Sequence, residues 1–208
     1  MKKRTLILQL VAGGLFFASI FLPYWFIAMK APAYPEQMLT VSIHGDKLTG
    51  DVDEWHTVSR LVGVKIPPPT PEIDMKLIPM AMIAVAVMAV GTAFIRKRGF
   101  TQVLVILVWI MLAIMFSVLQ YRLYMVGHDL DTTAPLRFFV RNGFTPPAIG
   151  TVTVGSITSY HMPHVGGIVA FAAAILLTVC GFTPQLAEIW RFITRRPSGG
   201  APPREAAA

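Results

Sequence analysis

The sequence has little cysteine and little charge. Its 208 residues include one cysteine, Cys180, and only 14% of them are Asp, Glu, Lys or Arg. A single cysteine excludes an internal disulfide and any paired-cysteine metal or redox motif. Soluble domains usually carry about 25% charged residues, whereas 54% of this chain is hydrophobic. The composition therefore excludes an ordinary soluble enzyme, a disordered tail and a disulfide-rich secreted module.

Four apolar segments are long enough to cross a membrane. Because lipid offers the backbone no hydrogen-bond partner, a span needs about 20 mostly apolar residues in a helix. We predict spans at about 5–29, 77–95, 101–121 and 165–182. A cleaved signal peptide is the alternative for the first segment, but its apolar stretch exceeds the usual length of about 7–15 residues.

The basic residues cluster at the ends of these segments. Ten of the 18 basic residues, but only two of the 11 acidic ones, lie in 1–4, 96–98 and 184–208. By the positive-inside rule these parts are cytoplasmic, which leaves 30–76 and 122–164 outside the membrane. The net charge of +7 then divides into +8 inside and −1 outside. It therefore signals orientation, and nucleic-acid binding is not implied.

These spans predict an all-α transmembrane fold, a four-helix membrane bundle with a small α+β periplasmic cap formed by the two outer loops. In the first loop, alternation predicts a strand over 38–44, and Asp51 is predicted to cap a helix. In the second loop, 136–140 and 152–157 are predicted strands. The chain then divides into 1–29, 30–76, 77–121, 122–164, 165–183 and a basic, partly disordered cytoplasmic tail at 184–208.

All five histidines lie in the two outer loops, and a His-Met-Pro-His sequence at 161–164 directly precedes the fourth span. Imidazole and thioether groups together suit copper, and neutral imidazole also suits zinc. The third span ends near His128 and should neighbour the fourth. We therefore predict a copper site, with zinc as the weaker alternative, whose ligands are His128, His161, Met162 and His164. The opposing interpretation is that they are interfacial polar residues, with Pro163 opening the fourth helix.

Other chemistries lack their motifs. Without a C-x-x-C-H sequence covalent haem attachment is excluded, and no histidine lies within a span to hold haem there. The G-x-S-x-G and H-E-x-x-H motifs are absent, so no enzymatic activity is predicted. A transporter should place polar groups at membrane depth. Only Gln9, Gln120 and Arg122 come near that depth, and all three lie towards the ends of spans.

Segments of both outer loops are similar to those of a known family. They read Ala-Pro-Ala-Tyr-Pro-Glu at 31–36, Gly-Asp-Val-Asp-Glu at 50–54, Gly-His-Asp-Leu-Asp at 127–131 and Ala-Pro at 134–135. These motifs resemble a family of small four-span bacterial membrane proteins associated with gene neighbourhoods for nitrous-oxide reductase and its copper-maturation proteins. At 59–64 the chain departs from the family pattern, because the histidine and methionine of that run are absent. The resemblance implies an accessory role beside a periplasmic metalloenzyme.

The leading functional prediction is an integral protein of the bacterial inner membrane with both termini in the cytoplasm. It would assist assembly, metal supply or electron delivery for a respiratory metalloenzyme such as nitrous-oxide reductase. Its partners would be the lipid bilayer and that metalloenzyme or its maturation proteins. The alternative prediction is a ligand-free structural or anchoring subunit of a larger membrane complex. A channel or transporter is the weakest of the three hypotheses.

Overall fold

The computed structural model describes residues 3–64, 73–95, 97–130, 140 and 143–194, with 73–76 and 184–194 described as helical backbone. Five helices lie in this part of the chain: α1 (Lys3–Ser19), α2 (Val52–Val62), α3 (Ile73–Phe94), α4 (Arg98–His128) and α5 (Val165–Thr194). The described strands are β1 (Trp25–Lys30), β2 (Leu39–Ile43), β3 (Leu48–Gly50), β4 (Gly150–Val154) and β5 (Ile157–Pro163).

The predicted fold class, an all-α four-helix membrane bundle, is wrong. The described residues form a mixed α+β fold with a five-stranded antiparallel sheet, in the order β3-β2-β1-β5-β4. The described helices include three that are long and apolar enough to cross a membrane, Leu77–Phe94, Arg98–His128 and Val165–Thr183. With 17 residues, α1 lies at the lower limit of the range of about 17–25 residues found for membrane spans, and it is not one of these three. The second, third and fourth predicted spans are thus confirmed as candidate spans.

The first predicted span is wrong at its C-terminal end, because α1 stops at Ser19. There the Ser19 hydroxyl donates to the carbonyl of Phe16 at 2.7 Å, and the N–H of Leu22 binds the carbonyl of Ser19 at 3.1 Å. Pro23 then disfavours a helical conformation for the residue before it. The aromatic and β-branched residues that follow favour an extended chain, and Trp25 begins β1.

Most of the predicted elements of the first loop are confirmed, whereas those of the second are not. The strand predicted over 38–44 contains β2, and the predicted helix after Asp51 is α2. The strand predicted over 152–157 is wrong, because a turn at Gly155 divides it between β4 and β5. The strand predicted over 136–140 lies almost entirely outside the described residues.

Asp51 precedes α2 but does not cap it, so that detail of the prediction is wrong. Its side chain makes no capping hydrogen bond to the helix. Instead its carboxylate accepts hydrogen bonds from the N–H of Thr40 at 2.8 Å and from the Thr40 hydroxyl at 3.2 Å. The start of α2 is thereby fixed to β2. The helix ends at Gly63, whose φ of 80° is the left-handed conformation that glycine adopts without strain.

One hydrophobic cluster joins α1, α3, α4 and α5, which we call the helical layer. Phe16, Met82, Val108 and Leu177 lie at its centre, one from each helix, and all are fully buried. Alanines from three of the helices complete the cluster, and such small residues let apolar helices approach closely.

The strands and α2, which we call the sheet unit, lie at one end of the helical layer, where α1 and α4 end and α3 and α5 begin. Trp25 of β1 contacts Phe116 of α4 edge to face, with ring centroids 6.0 Å apart. Gln120 of α4 accepts a hydrogen bond from the N–H of Ala148 at 3.1 Å and donates one to the carbonyl of Pro146 at 3.3 Å. The C-terminal end of α4 therefore supports both β1 and the segment before β4.

Candidate functional site

The pairing of β1 with β5 assigns the predicted ligands to different faces of the sheet. Ile27 lies opposite His161, and Phe26 lies opposite Met162. Because successive side chains of a strand alternate, Ile27 and His161 share the face that packs against α2 and α4, which we call the helix-side face. Phe26 and Met162 share the opposite, open face.

The His161 ring is buried, and none of the described residues is a hydrogen-bond partner for it. Only 6% of the residue is exposed, and neither ring nitrogen has a hydrogen-bond partner among the described residues. Burial disfavours the charged imidazolium, which lowers the pKa of His161 from 6.5 to about 4. At neutral pH the ring is therefore neutral, with one nitrogen able to donate a hydrogen bond and the other able to accept one.

The ring lines a cavity of about 100 Å³ between the helix-side face, α2 and the end of α4. Its walls are mainly aliphatic and aromatic, with Val58 from α2, Val126 from α4 and Phe144 from the segment before β4. Ser59 also lines the cavity, but its hydroxyl already donates to the carbonyl of Trp55 at 2.7 Å. Of the described residues that line the cavity, only His161 carries an ionisable side chain.

His128, the ligand predicted at the end of the third span, is exposed at the last turn of α4. Its ring stacks on Tyr124 with centroids 3.9 Å apart, and its Nδ1 lies 2.9 Å from the carbonyl of Tyr124. These contacts hold the ring along its own helix. It is absent from the residues that line the cavity of His161.

Met162 and His164 both lie next to Phe26 on the open side of the sheet. Met162 is 47% exposed opposite Phe26, and the rings of His164 and Phe26 meet edge to face at 5.9 Å. Nδ1 of His164 accepts a hydrogen bond from the N–H of Val165 at 2.7 Å, at the start of α5. Pro163 therefore ends β5 and does not open the helix.

His44, which was not among the predicted ligands, also lies near His164. Burial and then the Lys47 ammonium lower the pKa of His44; the Asp46 carboxylate opposes this, and His164 lowers it further. Nε2 of His44 lies 3.1 Å from the Thr49 hydroxyl. His44 thus lies near His164, which the sequence had already grouped with Met162.

The predicted four-ligand metal site is divided by the sheet. His161 and Met162 occupy opposite faces of β5, and the ring of His128 is held on Tyr124. The described part of the chain contains no cluster of three or more His, Cys, Asp or Glu residues able to hold a metal ion. The copper site stays a prediction, and geometry favours Met162 and His164 as its members.

In comparisons with known proteins, no family model matches the sequence, and no curated protein is significantly similar to it. The fold, the two faces of the sheet and the sequence motifs therefore carry the functional interpretation. The sequence did not predict the cavity, because its walls come from elements that are far apart in the chain. The one available signal was a histidine in an alternating segment, at a position where a strand's inward residue should be apolar.

Proposed function

We propose that the protein is an integral membrane accessory protein that presents its sheet unit to a respiratory metalloenzyme or to the proteins that assemble it. The observation that supports this most is the two-faced sheet. Its helix-side face packs against α2 and α4, while its open face carries hydroxyl side chains such as Thr40, Ser42 and Tyr160. A sheet held in this way offers a contact surface of hydroxyl and apolar side chains beside the ends of apolar helices.

The proposed location is the bacterial inner membrane, with the sheet unit in the periplasm and both termini in the cytoplasm. Lys3, Arg4, Lys97 and Arg98 lie at the starts of α1 and α4, away from the sheet unit. The positive-inside rule favours a cytoplasmic position for that end. With 31 residues α4 is about 46 Å long, which exceeds the hydrocarbon core of about 30 Å. Its C-terminal end can therefore support the sheet unit outside the lipid.

A second candidate function is an anchoring subunit without a ligand of its own. Only 11% of the apolar window of α4 is buried within the chain. The uncovered surface is suited to lipid or to the spans of a larger complex. Nitrous-oxide reductase and its maturation proteins stay the predicted partners of the accessory role, supported by the resemblance of the loop motifs.

Site-specific cross-linking separates these two functions. We expect a photoreactive residue at Met162, on the open face, to cross-link in cells to a periplasmic or membrane metalloenzyme or to its maturation protein, identified by mass spectrometry. The control is the same label at Leu107, which is 40% exposed on α4 and should give no protein adduct. A stoichiometric adduct from Leu107, with none from Met162, would favour the anchoring subunit instead.

Copper(I) titration of the purified protein tests the metal part of the proposal. We expect Met162→Leu and His164→Leu each to lower the bound copper, because both residues lie beside Phe26. His161→Leu is the matched control and should bind as the wild type does, since its ring is on the other face. Wild-type protein that binds no stoichiometric copper would remove metal supply from the proposed role.

A further inference from the structure

The cavity lined by His161 lies on the helix-side face and is separate from the open face on which the proposed function depends. It combines an apolar wall with one buried imidazole whose two nitrogens have no partner among the described residues. Buried polar groups are almost always hydrogen-bonded in native proteins. The two ring nitrogens of His161 are an exception to that rule, and a ligand bound in the cavity would explain them.

Water alone satisfies this ring poorly. A water molecule occupies about 10–15 Å³ of such a volume and needs two to four polar partners, so a cavity of about 100 Å³ has room for several. Among the described lining residues, Val58, Val126 and Phe144 are apolar, and the only side-chain hydroxyls are those of Ser159 and of Ser59, which already donates to Trp55. Several waters would therefore share few polar partners, whereas an apolar ring would contact most of the wall directly.

Charge excludes most other ligands. The cavity-lining residues that the structure describes include no Lys, Arg, Asp or Glu. An anion or a cation entering the cavity would lose its hydration without gaining an opposite charge. A neutral ligand with one hydroxyl or carbonyl group meets the ring at no such cost.

Size limits the ligand further. At about 100 Å³ the cavity is smaller than the cavity of about 150 Å³ that accommodates benzene, but it is partly open, so a single small ring fits only if it extends into the mouth. Leu123 and Val126 form one wall at the end of α4, close to the proposed membrane surface. The same chemistry can therefore arrive as a free molecule from water or as the head of a lipid-soluble molecule.

We propose that this cavity is a binding site for a small neutral molecule of the phenol class, with its apolar ring against the valines and its oxygen hydrogen-bonded to His161. The hydrogen bond sets the orientation, and the apolar wall supplies most of the affinity. The site is independent of copper and of the partner at Met162.

Phenol and toluene form a matched pair of probes, because they differ mainly in the hydroxyl group. With full-length protein in nanodiscs, we expect the ratio of phenol to toluene affinity to fall about three- to tenfold in His161→Leu, the effect of one net hydrogen bond. Toluene binding should persist in that variant, which shows that the cavity is intact. His164→Leu, altered outside the cavity, should keep the wild-type ratio.

A measurement on the wild type makes the test independent of the variant. In protein labelled with ¹⁵N-histidine, phenol should shift the ring signal that is missing from His161→Leu, and toluene should shift it much less. Octylphenol in the nanodisc lipid would compete with aqueous phenol if the natural source is the membrane, and would not if the source is water. An unshifted His161 signal, or equal affinity ratios in the wild type and His161→Leu, would overturn the proposal.

Discussion

His161→Leu is expected to make the protein more stable at neutral pH. In the wild type both ring nitrogens are buried without a partner among the described residues, and a buried polar group left unpaired costs about 1–3 kcal/mol. Leucine has a similar volume and no polar atom, so the free energy of unfolding should rise by about 1–2 kcal/mol. Denaturant unfolding in detergent micelles, followed by circular dichroism at pH 7, measures this change.

The advantage of the variant should grow as the pH falls. Burial lowers the pKa of His161 to about 4, from 6.5. Below pH 6.5 the unfolded chain therefore binds a proton that the folded chain does not, and folding becomes less favourable until the folded ring also protonates near pH 4. The wild type should lose about 3 kcal/mol relative to His161→Leu across this window, and little more below it.

His164→Leu is the control for this titration, because it removes a histidine outside the cavity and should retain the acid sensitivity that His161 causes. Parallel stability curves for the wild type and His161→Leu between pH 6.5 and 4 would show that the ring is not held neutral. Retaining a destabilising side chain is the usual cost of a functional position. A gain in stability on its removal would therefore agree with a role in binding.

Gly127→Ala is expected to destabilise the sheet unit strongly. Gly127 is buried in the last turn of α4, and its carbonyl accepts a hydrogen bond from the N–H of Phe144 at 3.1 Å. A Cβ atom at this position would overlap the carbonyl oxygen of Phe144 and lie 2.8 Å from its carbonyl carbon. Because these atoms belong to the backbone, no side-chain rotation relieves the overlap. We expect a loss of about 3 kcal/mol or more.

The damage should reach the cavity, since Phe144 and Pro146 form part of its wall. Thermal unfolding and toluene binding measured on the same sample would report both effects. Gly14→Ala is the matched control, because nothing lies within 4 Å of a Cβ at that position in α1. It should be neutral or gain up to about 1 kcal/mol from helix propensity. A Gly127→Ala protein as stable as Gly14→Ala would contradict the close approach of α4 to Phe144.

Hydropathy predicted where three long helices lie, but it did not separate α1 from β1. No charged residue interrupts 5–29, and a mostly apolar segment has a high mean hydropathy whether it forms a helix or a buried strand. The boundary between α1 and β1 is indicated only by local residues, because Pro23 disfavours a helix and the aromatic and β-branched residues after it favour a strand. With β1 counted as helix, its partner β5 could not be recognised, and the sheet appeared as a few isolated strands.

The same reliance on local sequence led to the grouping of His161 with Met162 in the predicted metal site. Sequence proximity grouped His161 with Met162, but in a strand two consecutive side chains point in opposite directions. The pairing with Ile27 and Phe26 then assigns them to a buried face and an exposed face. The cavity depends on contacts between α2, α4 and β5, which are distant in sequence, so no local pattern predicts its volume.

The central position of β1 has a consequence for biosynthesis. Its hydrogen-bonding partners are β2, which follows directly, and β5, which is made only after α3 and α4. At ribosomal rates of about 5–20 residues per second, β1 waits on the order of ten seconds for β5. During that interval one edge of β1 is unpaired and open to incorrect pairing. Because only His164 separates β5 from α5, the last helix is synthesised directly after the strand that completes the pairing of β1.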